Sequence, residues 1–234
     1  MTKSAQFPTT RWTLVLASGD EGSRREALDW LCRHYWQPLY VFLRRLGHDP
    51  ASAQDLTQGF LAVFLQRRSM EGADPERGRF RSYLLGALRN YLADRRDHEG
   101  AAMRGGDTAF VPLSMDRVEE SYLKTPANLS PESLYEREWA LALIGRVLRL
   151  MRDEQESAGK VAVFDVLKDF LTADGDYSSA AKAVGISEGA ARVAVHRLRR
   201  RYRELLTAEI AETVRDSNAV QSEIRHLIAV ISGS

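Results

Sequence analysis

The groups in this chain best suited to chemistry are arginines, and their spacing suits contact with a polyanion rather than bond making. Arg192, Arg197, Arg199, Arg200, Arg201 and Arg203, together with His196, crowd a short stretch that contains no acid. Positive charge at that density is costly unless an anion such as nucleic-acid phosphate lies close. The plainer alternative is a solvated arginine-rich helix face. Acids gather elsewhere: from Asp107 to Glu138 seven stand against three bases, so the net charge of +1 conceals segregation. Arrangements for catalysis are missing. There is no phosphate-cradling glycine loop, no metal-spaced histidine cluster and no Ser-His-Asp pattern. The five histidines, at 34, 48, 98, 196 and 226, stand singly, and the one cysteine, Cys32, excludes a disulfide framework and a Cys-based zinc site. The chain reads as a non-enzyme without metal or cofactor.

The elements that must position these groups are helices. Apolar residues recur at i, i+3, i+4 and i+7 nearly throughout, and no stretch alternates with period two, so the fold class is all-α. A short helix is expected after Thr9-Thr10. Another, carrying Ala27, Leu28, Leu31, Tyr35 and Trp36 on one face, runs up to Pro38, and a further one covers Leu39 to Leu46. Helices also follow from Ala51 to Arg68 and from Phe80 to about Arg96. Gly100 to Pro131, with Gly105-Gly106, Pro112 and Pro126, reads as an acidic linker. A long helix opens at Pro131 and more follow from Lys160. Two small helical domains joined by a linker are expected. The apolar runs are too short to cross a bilayer, and with no leader-type segment the chain reads as cytoplasmic.

Tyr177 to Arg203 holds the sharpest local pattern. Ser178 to Val184 suits a short helix, Gly185 a left-handed terminator, and Ser187 a cap for the next helix, whose Ala191, Val195, Leu198 and Tyr202 share one apolar stripe. This is a helix-turn-helix pattern, in which the second helix enters the major groove. Ser187, Glu188, Arg192, His196 and Arg197 would meet base edges or phosphates, with Arg199 and Arg200 beyond them on phosphates.

Two earlier segments add chemistry. In Asp55 to Phe64, Leu56, Phe60, Val63 and Phe64 form a buried stripe, while Asp55 and Gln58 face outward and Leu61 and Leu65 are partly exposed, a surface suited to a partner helix. In Phe80 to Arg96, Leu84, Leu85, Leu88 and Leu92 supply a core face. Arg81, Arg89, Asn90, Arg95 and Arg96 are interleaved with Phe80, Tyr83 and Tyr91, a mixture suited to single-stranded DNA. An ordinary amphipathic helix with core aromatics is the competing reading.

Together these three motifs, in this order, resemble the extracytoplasmic-function group of the sigma-70 family of RNA polymerase subunits. The resemblance implies a region 2-like domain over 27–105, a linker over 106–131 and a region 4-like helix-turn-helix over 132–206, with an N-terminal extension (1–26) and a C-terminal helical extension (207–234). It implies that Asp55, Gln58 and Leu61 bind core RNA polymerase at the β′ clamp helices, and that region 4 meets the β flap. Arg81, Tyr83, Arg89, Asn90, Arg95 and Arg96 would read the −10 element, helped by the loop from His98 to Gly106. Ser187, Glu188, Arg192, His196, Arg197, Arg199 and Arg200 would read the −35 element. The implied partners are core polymerase and promoter DNA, with an anti-sigma factor or a Ser/Thr kinase as a regulator and no membrane. A stand-alone helix-turn-helix regulator binding duplex DNA is the alternative.

The chain departs from the family where polymerase binds. Gln54 and Gly59 replace acids usual there, leaving Asp55 as the segment's carboxylate. Phosphorylation of Thr57, or secondarily Ser52, would restore negative charge. Against this stands a reading of Thr57 as a tolerated polar surface residue. The tail beyond Leu206, with Ile224, Leu227, Ile228 and Ile231 on one stripe, is expected to form a helix that packs on the −35 domain or masks its arginines.

Overall fold

The structure, a computed structural model, describes residues 21–66, 79–98, 115–214 and 217–232. The expected helix after Thr9-Thr10 and the loop beyond His98 lie outside them. The described residues contain helices and no strand. They divide into two compact units. One takes in residues up to Ala142 together with those from Ala211 on, and the other is Leu143–Ile210.

The first unit begins with α1 (Glu21–Arg45). It runs unbroken through Pro38, where a break was expected. Proline in a helix interior forfeits a backbone hydrogen bond and costs about 3 kcal/mol. Around it, however, Tyr35, Trp36 and every residue from Leu39 to Leu43 are at most 1% exposed, and Trp36 stacks on Tyr40 with ring centroids 5.2 Å apart. Burial of so many large side chains outweighs one lost bond. Gly47 (φ 98°) turns the chain, and Asp49 caps α2 (Pro50–Gln66) by accepting from the backbone N–H groups of Ala51 and Ser52. Pro50 occupies the first turn, where its missing N–H is not needed. In α3 (Phe80–His98), Phe80 meets Tyr35 and Trp30 edge-on, and Leu84 and Leu88 are fully buried.

The chain expected as linker includes α4 (Met115–Leu123), fastened to the end of α1. Glu119 accepts from the Tyr40 hydroxyl (2.5 Å) and from Arg44 Nε (3.0 Å) and Nη2 (2.6 Å). Arg45 donates to the Pro126 and Ala127 carbonyls. α5 (Pro131–Ser157) is capped by Ser130, whose Oγ accepts from the Ser133 N–H at 3.1 Å, and its first turns bury Leu134, Tyr135 and Trp139 in this unit. The unit closes with α9 (Ser217–Ser232), which buries Val220, Glu223 and Leu227.

The second unit takes Leu143, Val147 and Met151 from the later part of α5. α6 (Val161–Leu167), a 3-10 turn (Lys168–Leu171), α7 (Tyr177–Ala183) and α8 (Glu188–Ala211) complete it, α8 leaving at Ile210. Asp176 caps α7 through the Ser178 and Ser179 N–H groups. Gly185 takes φ 69°, so that the Ile186 N–H returns to the Ala181 carbonyl, and Ser187 Oγ accepts from Ala190 N–H to cap α8. Ala180, Ala181, Ala191 and Val195 are buried in this unit.

Candidate nucleic-acid interface

On α2 the structure leaves Asp55 exposed and Gln58 half-buried. Leu61, expected at that surface, is 2% exposed, and Thr57 is fully buried. The buried face is Ala53, Leu56, Thr57, Phe60, Leu61 and Phe64, rotated from the expected stripe toward Thr57 and Leu61, with Val63 only half-buried. Thr57 joins the core because its hydroxyl donates to the Ala53 carbonyl at 2.7 Å, which meets its polar requirement within the helix. A phosphate there would bury nearly two negative charges, so Thr57 is not a modification site in the folded protein. Ser52 is nearer solvent, but its hydroxyl donates to Asp49 Oδ2 and a phosphate would face that carboxylate. Gly59 has a structural cause: a Cβ there would lie 2.6 Å from the Tyr91 hydroxyl.

α3 sorts its basic residues into two sets. Arg81 is 2% exposed and cannot reach DNA from where it sits. Its Nε donates to Glu136, its Nη1 pairs with Glu223, and its guanidinium lies 4.2 Å from the Trp139 ring centroid. Burial pulls its pKa below the ordinary arginine value, against the pull of Glu136. Tyr83 is half-buried against Phe64, and burial raises its phenol. Arg95 is half-buried and donates to the Tyr91 hydroxyl at 3.3 Å. Arg96 is on α3, with its side chain outside those described. Arg89 and Asn90 are exposed, and with Ser82 and Ala93 they line one outward stripe. Arg89 pairs with Glu132 at the surface, an exchangeable contact.

On α8 the exposed residues include Glu188, Arg192, Val193, His196 and Arg197, with Ser187 at the cap. Arg192 pairs with Glu188 at 2.8 Å and lies over the Tyr177 ring. Arg199, expected on phosphate, instead donates to the carbonyls of Phe170 (2.9 Å) and Ala173 (3.2 Å) and to Asp174 (2.9 Å). It fastens the loop that leads into α7. Arg200 remains largely exposed beside Glu204, whereas Arg201 is held by Glu154 and Glu204. The arginine run therefore does have compensating acids, some from distant sequence. Among the described residues, Arg197 and Arg203 make no ion pair.

Sequence reasoning missed Arg79, Trp139 and Glu223. The period of α9 held a signal for the last, since Val220, Glu223 and Leu227 lie at i, i+3 and i+7. Among the described residues no acid, His or Cys cluster could hold a metal, and no helix is long and apolar enough to cross a membrane.

Comparison with known proteins finds no matching curated protein and no matching solved structure. Residues 31–101 match the family model for Sigma-70 region 2, which spans most of α1, all of α2 and α3, and so the surface that presents Asp55, Arg89 and Asn90. By that match, residues 31–101 of this chain are similar to sigma-70 region 2.

Proposed function

We propose that the protein is a sigma factor of the extracytoplasmic-function type, which binds core RNA polymerase and directs promoter-specific initiation. The observation that carries this reading is the region 2 match, falling on helices that keep Asp55 and the Arg89–Asn90 stripe at the surface. On this reading Asp55 and Gln58 meet the β′ clamp helices, and Arg89 and Asn90 hold the separated −10 strand. On the same reading α7 and α8, each capped at its start, form the helix-turn-helix that reads the −35 element through Arg192, His196 and Arg197. The protein then acts by positioning, and performs no bond chemistry of its own.

Co-purification with core polymerase, followed by transcription from promoters selected by the reconstituted holoenzyme, tests this. The expected result is stable association, weakened at least tenfold by Asp55→Ala, and initiation that depends on the added protein. Tight duplex binding without polymerase, together with no association with core, would establish the stand-alone regulator instead.

A further inference from the structure

The C-terminal extension packs on the unit that contains region 2, and it does so through a charged group. Glu223 of α9 is 1% exposed, with its carboxylate between two arginines at the start of α3: Arg79 at 2.8 Å and Arg81 in direct contact. Glu136 of α5 holds the other edge of Arg81, and His226, further along α9, reaches Glu136 at 3.0 Å. A carboxylate clasped by two guanidinium groups has the geometry with which arginines hold a phosphodiester.

We propose that Arg79 and Arg81 form a phosphate site for the promoter strand, and that Glu223 occupies it as an internal oxyanion until DNA displaces α9. The inference rests on the reading of α3 as the −10 helix. Position supports it. From Arg81 to Arg89 along α3 is about 12 Å, the axial reach of three or four nucleotides at about 3.4 Å each. Opening the site would extend the Arg89–Asn90 stripe toward the start of the helix.

The manner of attachment also supports it. A buried ion pair holds a helix no better than well-packed apolar residues would, so Glu223 is a poor choice for a purely structural prop. The apolar anchorage of α9 is narrow: Val220 and Leu227 are buried, whereas Ile224 and Ile231 are half-buried and Ile228 is 56% exposed. A helix held by a buried carboxylate, one further polar contact and two buried apolar residues is one that a competing polyanion can release.

The test measures binding of the full chain to a short fluorescein-labelled single-stranded DNA of mixed sequence, by anisotropy across a salt series. Glu223→Gln is expected to bind about tenfold more tightly than wild type. Its salt dependence should steepen by about 0.7 in log–log slope for each arginine released. Arg79→Ala added to Glu223→Gln should reverse much of the gain. Glu120→Gln, which removes the same charge from the surface of α4, should do nothing. Equal affinity and slope for Glu223→Gln and wild type would overturn the proposal. A second measurement needs no variant: in wild type, amides of α9 should lose hydrogen-exchange protection as DNA saturates the protein, and retained protection overturns it. Core-polymerase association is scored separately. If that fails while Glu223→Gln still gains DNA affinity, the sigma reading falls and the phosphate site stands.

Discussion

Gly59 offers a sharp test of how α2 and α3 are fitted together. A glycine inside a helix costs about 1 kcal/mol relative to alanine, so on propensity alone Gly59→Ala should stabilise by that amount. The structure reverses the expectation. The new Cβ would lie 2.6 Å from the Tyr91 hydroxyl, closer than such atoms approach, while the ring carbon behind that oxygen stands at 3.7 Å, an ordinary contact. Tyr91 cannot easily withdraw, because its ring packs on Phe60 and its hydroxyl accepts from Arg95. Overpacking of this kind costs about 1–3 kcal/mol, so Gly59→Ala should be neutral to destabilising by about 2 kcal/mol. Removing the hydroxyl removes the obstacle. In a Tyr91→Phe background, Gly59→Ala should stabilise by about 1 kcal/mol, giving a coupling of about 1–3 kcal/mol between the two sites. Urea unfolding of the four proteins, with unchanged m-values, measures this. A coupling near zero would refute the account and return Gly59 to being an unexplained departure from the family.

Other perturbations probe the remaining buried polar groups. Thr57→Val keeps the shape and loses only a bond to a carbonyl already engaged in the helix, so it should cost at most about 1 kcal/mol. Thr57→Glu buries a charge and should cost about 3 kcal/mol or more in the same unfolding assay. Glu119 has its pKa lowered, chiefly by the Arg44 hydrogen bond, so its stabilisation is complete above its unfolded value near 4.5 and is lost as pH falls through the lower folded value. Glu119→Gln should therefore destabilise by about 2 kcal/mol at neutral pH, with thermal midpoints converging on wild type as the pH drops below 4.5. Glu138 behaves oppositely. Burial raises its pKa, so the ionised form is penalised at neutral pH, and Glu138→Gln should raise the neutral thermal midpoint while losing that advantage in acid.

Much of this architecture was legible in one dimension, and the failures have definite causes. Caps at Ser130 and Ser187 and the terminator Gly185 act within a few residues, so local chemistry specifies them. The break at Pro38 was wrong because the cost of a proline is local while the burial that overrides it is tertiary. The face of α2 was set half a stripe off because threonine counts as polar in any periodic pattern, although its hydroxyl can satisfy itself on the preceding turn. Arg81 was placed on DNA, and Glu223 was passed over, for a related reason. Periodicity assigns charge outward, and only the fold shows that the two, far apart in sequence, neutralise each other. The Asp55 and Arg89 surfaces were readable because exposed residues obey the pattern.

The same lesson changes the size of the DNA footprint expected of α8. Counting six arginines from Arg192 to Arg203 implies that log affinity for duplex DNA should fall with log salt at a slope of about −5.4. Two of the six are committed elsewhere. Arg199 is held by two carbonyls and Asp174, and Arg201 by two glutamates, one of them on α5. Withdrawing either would leave the Phe170 and Ala173 carbonyls without this donor, or Glu154 and Glu204 without their shared partner. Arg197 and Arg203 are available, and Arg192 and Arg200 are held by surface pairs at i, i+4, worth about 0.3–0.5 kcal/mol each and easily exchanged for a phosphate, with Arg192 also lying over the Tyr177 ring. Four contacts give a slope contribution of about −3.6. Alanine at 197 or 203 should each make the slope shallower by about 0.9 while leaving the unfolding midpoint unchanged. Arg199→Ala should do the reverse, lowering stability with the slope intact, because its guanidinium acts on the fold. A slope that responds to Arg199 as strongly as to Arg197 would mean that the loop from Phe170 to Asp174 releases its arginine when DNA arrives, and that the count of four is too low.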